Sequence, residues 1–264
     1  MKKYFKIFWR LGRMSLARDM MYPADFWTGS FAGIIFFLSQ ILLVWFLFKT
    51  SQSETIAGYN MWQIYFVYGV FNFIVSLAYV FLLNNSWSFT DGIIKGLLDL
   101  DLIKPINSFV ALYMKEYEIA VEVMSVFISL FLIVWLFVGG RVELSWNQII
   151  MILVVMIQSF GLYCILYIIS SVIELFVSRF SVLRFMMHEF DVVTSYPRRM
   201  YPSVIRYVLL FIWPFFMIVS PIYDIFDQTI DFEKIFIWLG VNIIFLLVLI
   251  LMWTSGLKKY CSAG

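Results

Sequence analysis

The chain has 264 residues, 63% of them hydrophobic and only 14% charged, with a mean hydropathy of +0.91 and a formal net charge of +2. Soluble domains carry about 25% charged residues, so this composition excludes a water-exposed globular surface and requires a lipid bilayer. The net charge says little; where the charges sit says more.

Residues 2–21 alternate basic and apolar positions. Lys3, Lys6, Arg10 and Arg13 recur at spacings of three, four and three, which puts them on one helical face, while Phe5, Phe8, Trp9 and Leu11 cover much of the rest. The pattern predicts an amphipathic helix lying in the membrane interface, cations toward anionic headgroups, broken at Tyr22-Pro23. No cleavable signal peptide is expected, because the first 26 residues lack an apolar core followed by a small-residue cleavage site.

Apolar runs follow at about 27–48, 62–83, 119–138, 149–174 and 234–254, each long enough to cross about 30 Å of hydrocarbon as a helix. Trp27, Trp45, Trp62, Trp146 and Trp253 stand near run ends, as interfacial anchors do. Gly29-x-x-x-Gly33 would allow close helix approach at a dimer seam. Gln40, Asn72, Gln158 and Asn242 are polar positions inside the runs, candidates for lining a translocation path or for bonding one helix to another. Glu116, Glu118, Glu122 and Glu174 read as carboxylates near water at span ends, and no Asp or Glu is expected at mid-span.

Between the second and third runs lies Phe89–Ile106, the longest mixed segment. Ile93, Ile94, Leu97 and Leu98 make an i, i+1, i+4, i+5 stripe, opposite Asp91, Lys95 and Asp99, so a short amphipathic helix is expected over about 89–104, ended by Pro105. Cations fix the orientation: eleven fall in the leader, this loop and the tail, against three in the other connections, segment 175–206 aside, which places both termini in the cytoplasm.

Residues 175–223 admit two readings. In one, 175–205 is cytoplasmic and 206–223 is span five. In the other, 178–197 is a polar span and 203–223 a re-entrant hairpin on the outer side. Arg179, Arg184, Arg198, Arg199 and Arg206 favour the first, which we adopt. Pro214 and Pro221 favour the second, since broken backbone at membrane depth must lie against protein or water.

Two motifs carry a family resemblance. The run Gly96-Leu-Leu-Asp99-Leu-Asp-Leu102-Ile-Lys104-Pro105 resembles the Gly-x-Leu-Asp-x-x-Leu-x-Arg/Lys-Pro pattern of the six-span permeases in the type-2 class of ATP-binding-cassette (ABC) transporters. Tyr196-Pro197-x-x-x-Tyr201-Pro202 with Arg206, Pro214 and Pro221 is similar to a second run of the same bacterial subfamily, and the span pattern matches over essentially the whole chain. Lys104 stands where arginine is common, and Arg198-Arg199 are more basic than usual after Tyr-Pro.

The resemblance implies one all-α polytopic membrane domain over 1–264: an elbow helix at 2–21, six transmembrane helices, and a cytoplasmic coupling helix between spans two and three. The implied coupling residues are Asp91, Ile93, Ile94, Gly96, Leu97, Leu98, Asp99, Lys104 and Pro105, docking on an ATPase subunit. It further implies two ATPase copies holding ATP and Mg, a second permease (identical or paralogous), membrane lipids as surroundings, no nucleic acid, and the bacterial cytoplasmic membrane as location.

Catalytic chemistry is not expected of the chain itself. It has no Gly-x-x-x-x-Gly-Lys-Ser/Thr phosphate-binding loop, and its one histidine, His188, lacks the partner at i+4 that a zinc helix needs. The two cysteines, Cys164 and Cys261, are not expected to pair. An ion-driven secondary transporter and a membrane-embedded lipid-modifying enzyme are the alternatives; the missing mid-span carboxylates, internal repeat and catalytic cluster count against them.

Overall fold

A computed structural model describes residues 2–115, 117, 119–177, 187, 189, 191–212, 214–228 and 232–260. Glu116, Glu118, Arg179, Arg184, His188 and Cys261, singled out above, lie outside the described residues, as do the side chains of Lys3, Phe5 and Ile94.

The N-terminal helix α1 (Lys2–Met21) turns Lys6, Arg10 and Arg13 outward and its other face onto the bundle. Phe8 packs against the rings of Phe81 and Tyr117, at 5.7 and 5.3 Å between centroids, and the Tyr117 N–H donates to Ser15 Oγ at 3.0 Å. Pro23 then opens α2 (Pro23–Ser51), where a missing N–H costs nothing, and Gln52 ends it in the left-handed region at φ 50°. A small antiparallel hairpin follows, β1 (Thr55–Ile56) with β2 (Tyr59–Asn60). Ala57 and Gly58 form its turn at φ 56° and 93°, the pair of positive φ values that matches strand twist in a two-residue loop.

Asn60 caps α3 (Met61–Ala78) in a reciprocal box with Gln63. This is the central helix. Two-thirds of its apolar window (67%) is buried within the chain, against 11% for α2 and 6% for the last helix. A π turn, Tyr79–Leu83, carries α3 into α4 (Asn84–Ile94), followed by the short α5 (Leu98–Leu102) and α6 (Ser108–Tyr113). Helix α7 (Ile119–Val138) packs along α3 where Gly69 allows it: a Cβ there would stand 3.2 Å from Ile133 Cγ1. Across the same seam Asn72 Nδ2 donates to Ser129 Oγ at 2.7 Å. Helix α8 (Trp146–Val172) starts from a second capping box, Ser145 with Gln148, and a 3-10 turn over Ile173–Leu175 ends it beside Gly256 of the last helix.

The stretch 206–223, expected as one span, is not one helix. Helix α9 (Ser203–Tyr207) runs into a π turn over Val208–Ile212, the backbone breaks around Pro214, and α10 (Phe216–Phe226) then carries Pro221 in its interior. The two ends of this segment meet. Arg198 pairs with Asp224 at 3.0 Å and Arg199 with Asp227 at 2.8 Å, so the chain after Arg199 doubles back to where it set out. Of the five arginines that favour a cytoplasmic loop, Arg198 and Arg199 are paired with these two aspartates, so a count that treats them as free cations overstates their weight. The last helix, α11 (Phe232–Lys259), closes against α8.

The helices α2, α3 with its π turn, α8 with its 3-10 turn, and α11 are long and apolar enough to cross a membrane. The apolar part of α7, Glu122–Val138, is shorter. This is an all-α membrane protein.

The hairpin geometry generates a labelling test. With Cys164 and Cys261 replaced, single cysteines at exposed Ser51 and Ser203 should react with an impermeant thiol reagent from the same side of the membrane, and one at exposed Lys95 from the other. Labelling of positions 203 and 95 from one side would overturn the arrangement.

Candidate functional site

A cavity of about 380 Å³ opens between α2, α3, α7 and the segment 189–195. Gln40 and Asn72, both read above as candidate path residues, line it, together with Tyr68, Tyr79, Glu122, Ser125, Glu189 and Asp191. Gln158 and Asn242 are elsewhere, at the contact of α8 with α11. Gln158 Nε2 reaches the Ile235 carbonyl at 3.5 Å, Asn242 Nδ2 bonds the Trp238 carbonyl, and Asn242 Oδ1 faces Gly161.

Of the carboxylates in this wall, Asp191 departs from the sequence reading. Glu122, in the first turn of α7, faces the cavity, and Asp191 is buried against α8, accepting from the Tyr163 hydroxyl at 2.9 Å. Beside it the hydroxyls of Tyr79 and Tyr167 share a hydrogen bond of 2.7 Å, and the Tyr163 and Tyr167 rings lie 5.3 Å apart. Tyr79 begins the π turn, and such turns redirect side chains out of the regular helical ladder. Glu174, expected at a wet span end, is buried as well. A cytoplasmic 175–205 loop hid this arrangement, since it removes Asp191 from the bundle altogether.

The Tyr-Pro segment fastens the hairpin. Tyr196 donates to Gln40 Oε1 at 3.1 Å, Tyr201 to the Val193 carbonyl at 2.8 Å and Tyr223 to the Ser195 carbonyl at 3.3 Å, while Arg206 donates to the Tyr201 carbonyl. Pro197 and Pro202 stand immediately before the Arg198–Met200 turn and α9, where an N–H is not needed. Pro214 and Pro221 break the returning strand of chain; Ser159 of α8 donates to the Ile218 carbonyl, next to the one that Pro221 leaves unbonded. Tyr59 of the β-hairpin donates to Asp227 at 2.7 Å, and burial, then this bond, raises its hydroxyl pKa.

At the opposite end, Phe89–Ile106 is two helices, not one. Gly96 takes φ 66°, and the Leu97 N–H returns to the Gly92 carbonyl while the Gly96 N–H bonds that of Ile93, the double closure of a Schellman cap. The expected stripe is therefore cut. Leu98 turns inward, 1% exposed, into a cluster with Phe89, Tyr113, Ile169 and Leu249, and Ile93 packs against it. Leu97 turns outward, 50% exposed, in line with Leu100 and Ile103. Asp91 and Lys95 form an exposed pair at 2.9 Å, Asp99 is partly exposed on α5, and Lys104 bonds Asp101 just before Pro105.

The helical membrane bundle thus holds a cavity whose wall mixes aromatic and aliphatic side chains with Gln40, Asn72 and three carboxylates. A family model described as "ABC-2 family transporter protein" matches residues 35–264, and the chain belongs to that family, whose members are the membrane components of transporters. Among curated proteins and solved structures, none matches at a significant level.

The tyrosine network yields a stability prediction. Tyr163→Phe removes a hydrogen bond to a buried carboxyl group and should cost about 1–3 kcal/mol, whereas Tyr167→Phe should cost about 1 kcal/mol. Thermal unfolding of the purified variants checks this ranking; equal midpoints for both and for the parent would reject it.

Proposed function

We propose that the chain is the membrane-spanning subunit of an ABC exporter, forming half of a translocation path and driven by a separate ATPase. Family membership carries this reading. The exposed ridge of Leu97, Leu100 and Ile103 supports it: three large apolar side chains on and flanking the short helix α5, framed by charges, are what a groove on a soluble partner would grip. ATP and Mg belong to that partner. Nucleotide-driven closure of two ATPases would shift two paired permeases, identical or paralogous, between inward- and outward-open states.

In this reading α2, α3, α7, α8 and α11 are five of six crossings. The sixth is the stretch 178–197. Leu175 stands beside Gly256 of α11, whereas Arg199 stands over the Tyr59 ring of the β-hairpin, and this separation supports the reading. Residues 203–226 then form a re-entrant hairpin on the outer side, and the termini face the cytoplasm of a bacterial cell. The ridge of 97–103 lies on that inner side, with the cations of α1 toward the headgroups. An ion-driven carrier would share the buried Asp191; the family and the absence of an internal repeat favour ATP.

The test follows from the split between Leu97 and Leu98. Leu97→Asp and Leu100→Asp should leave the permease folded but weaken ATPase co-purification about 10-fold or more, with loss of efflux. Lys95→Ala should change little, because its pair is exposed. Leu98→Asp should instead lower the unfolding temperature, a charge being forced into the cluster. Full ATPase binding by both outward variants would remove the ridge from the mechanism.

A further inference from the structure

Phe66 and Phe73 of α3, Leu130 and Phe137 of α7, and Ile149 and Met156 of α8 line an open groove of about 380 Å³ with no polar side chain in its wall among the described residues. The members of each pair stand seven residues apart, about 10 Å along a helix. One leaflet contributes about 15 Å of hydrocarbon, so the groove runs through much of the leaflet at the β-hairpin end. There it meets a polar hollow of about 270 Å³, lined by Asn60, Gln63, Arg141, Glu143 and Phe226. Leu144 of the groove adjoins Glu143, and the Phe66 ring lies 5.8 Å from that of Phe226. The Arg141 guanidinium lies over the Trp62 ring at 4.8 Å, a pairing suited to the depth of lipid headgroups. The hollow also holds unused hydrogen-bonding groups. The capping box engages the side-chain oxygens of Asn60 and Gln63, which accept from backbone N–H groups and so fix which end of each amide is the NH2. Both NH2 groups, and the Arg141 guanidinium, have no acceptor among the described residues. Glu143, exposed on the same rim, forms no ion pair among them.

We propose that groove and hollow together hold one phospholipid of the ethanolamine class: an acyl chain in the groove, the phosphate on Arg141 and the Asn60 and Gln63 amides, and the primary ammonium on Glu143. A bare apolar groove takes any chain, but donors and an acceptor set over its mouth select a headgroup. The guanidinium fork matches phosphate oxygens, and a carboxylate accepts the N–H of a primary ammonium, which a glycerol headgroup lacks. Both contacts gain strength at the edge of the hydrocarbon, where the dielectric constant falls below that of water. The site stands apart from the cavity between α2, α3 and α7 and from the ridge of Leu97, Leu100 and Ile103.

Native mass spectrometry of the full chain, stripped of lipid in detergent and titrated with palmitoyl-oleoyl phosphatidylethanolamine, tests the site. One lipid should bind saturably before any other. Arg141→Ala should weaken this first binding about 10-fold. Val134→Trp and Leu153→Trp fill the groove from its two exposed banks, and each should abolish the binding without lowering the unfolding temperature. Glu143→Gln should weaken phosphatidylethanolamine about 3- to 10-fold and leave phosphatidylglycerol unchanged. Diacylglycerol with the same chains, and glycerophosphoethanolamine without chains, should each bind at least about 10-fold more weakly than the whole lipid. Binding that does not saturate at one lipid, equal binding of diacylglycerol, or parental affinity in Arg141→Ala, in Glu143→Gln or in both tryptophan variants overturns the proposal, whatever the fate of ATPase co-purification.

Discussion

Hydrocarbon offers no hydrogen-bond partner to a peptide group, and each departure from regular helix in this chain is placed under that constraint. The π turn at Tyr79–Leu83 lies in the interior, on the central helix, where the Tyr79–Tyr167 bond and the packing of α8 surround it. The break at Pro214 and the interior Pro221 lie against α8, which lends Ser159 to a neighbouring carbonyl. The left-handed residues Gln52, Ala57, Gly58, Gly96, Gly140 and Gln228 all sit in connections at helix ends. Among the described residues, irregular backbone is thus confined to places where protein covers it or where helices stop.

The same constraint explains the concentration of polar side chains in one sector. Gln40, Asn72, Tyr79, Tyr163 and Asp191 lie on the helices and segment around the cavity, whereas the outer faces of α2 and α11 show almost unbroken Phe, Leu, Ile and Val. Lipid tolerates the latter without any specific partner. The former must bond to one another, and in doing so fix the spacing of α2, α3, α7 and α8 around a hollow.

Much of this is written plainly in the sequence. The long apolar helices are uniform runs, and composition alone announces them. Gly96 and Pro105 mark the inner turn, but a periodicity carried across Gly96 merged two helices into one and put Leu98 on the wrong face; a single left-handed residue rotates everything after it. Arg198 and Arg199 misled for another reason. A count of cations treats each as free in water, and these two are held by Asp224 and Asp227, contributed some 26 to 28 residues later in the chain. Asp191 was not legible as a cavity residue, because a cytoplasmic 175–205 leaves outside the bundle a carboxylate that Tyr163 holds within it.

The aromatic cluster at the inner end has a mechanical consequence. Phe89, Phe109, Tyr113 and Trp253 stand with ring centroids 5.0–5.9 Å apart, and Leu98 fills the space behind them. Close-packed rings yield little, so the inner turn and the end of α11 respond to a load as one stiff piece. Helix α11 has 28 residues, a rod of about 42 Å. A load on Leu97, Leu100 and Ile103 would therefore pass into a long lever, and compliance has to be sought in the π turn at Tyr79 and the proline breaks.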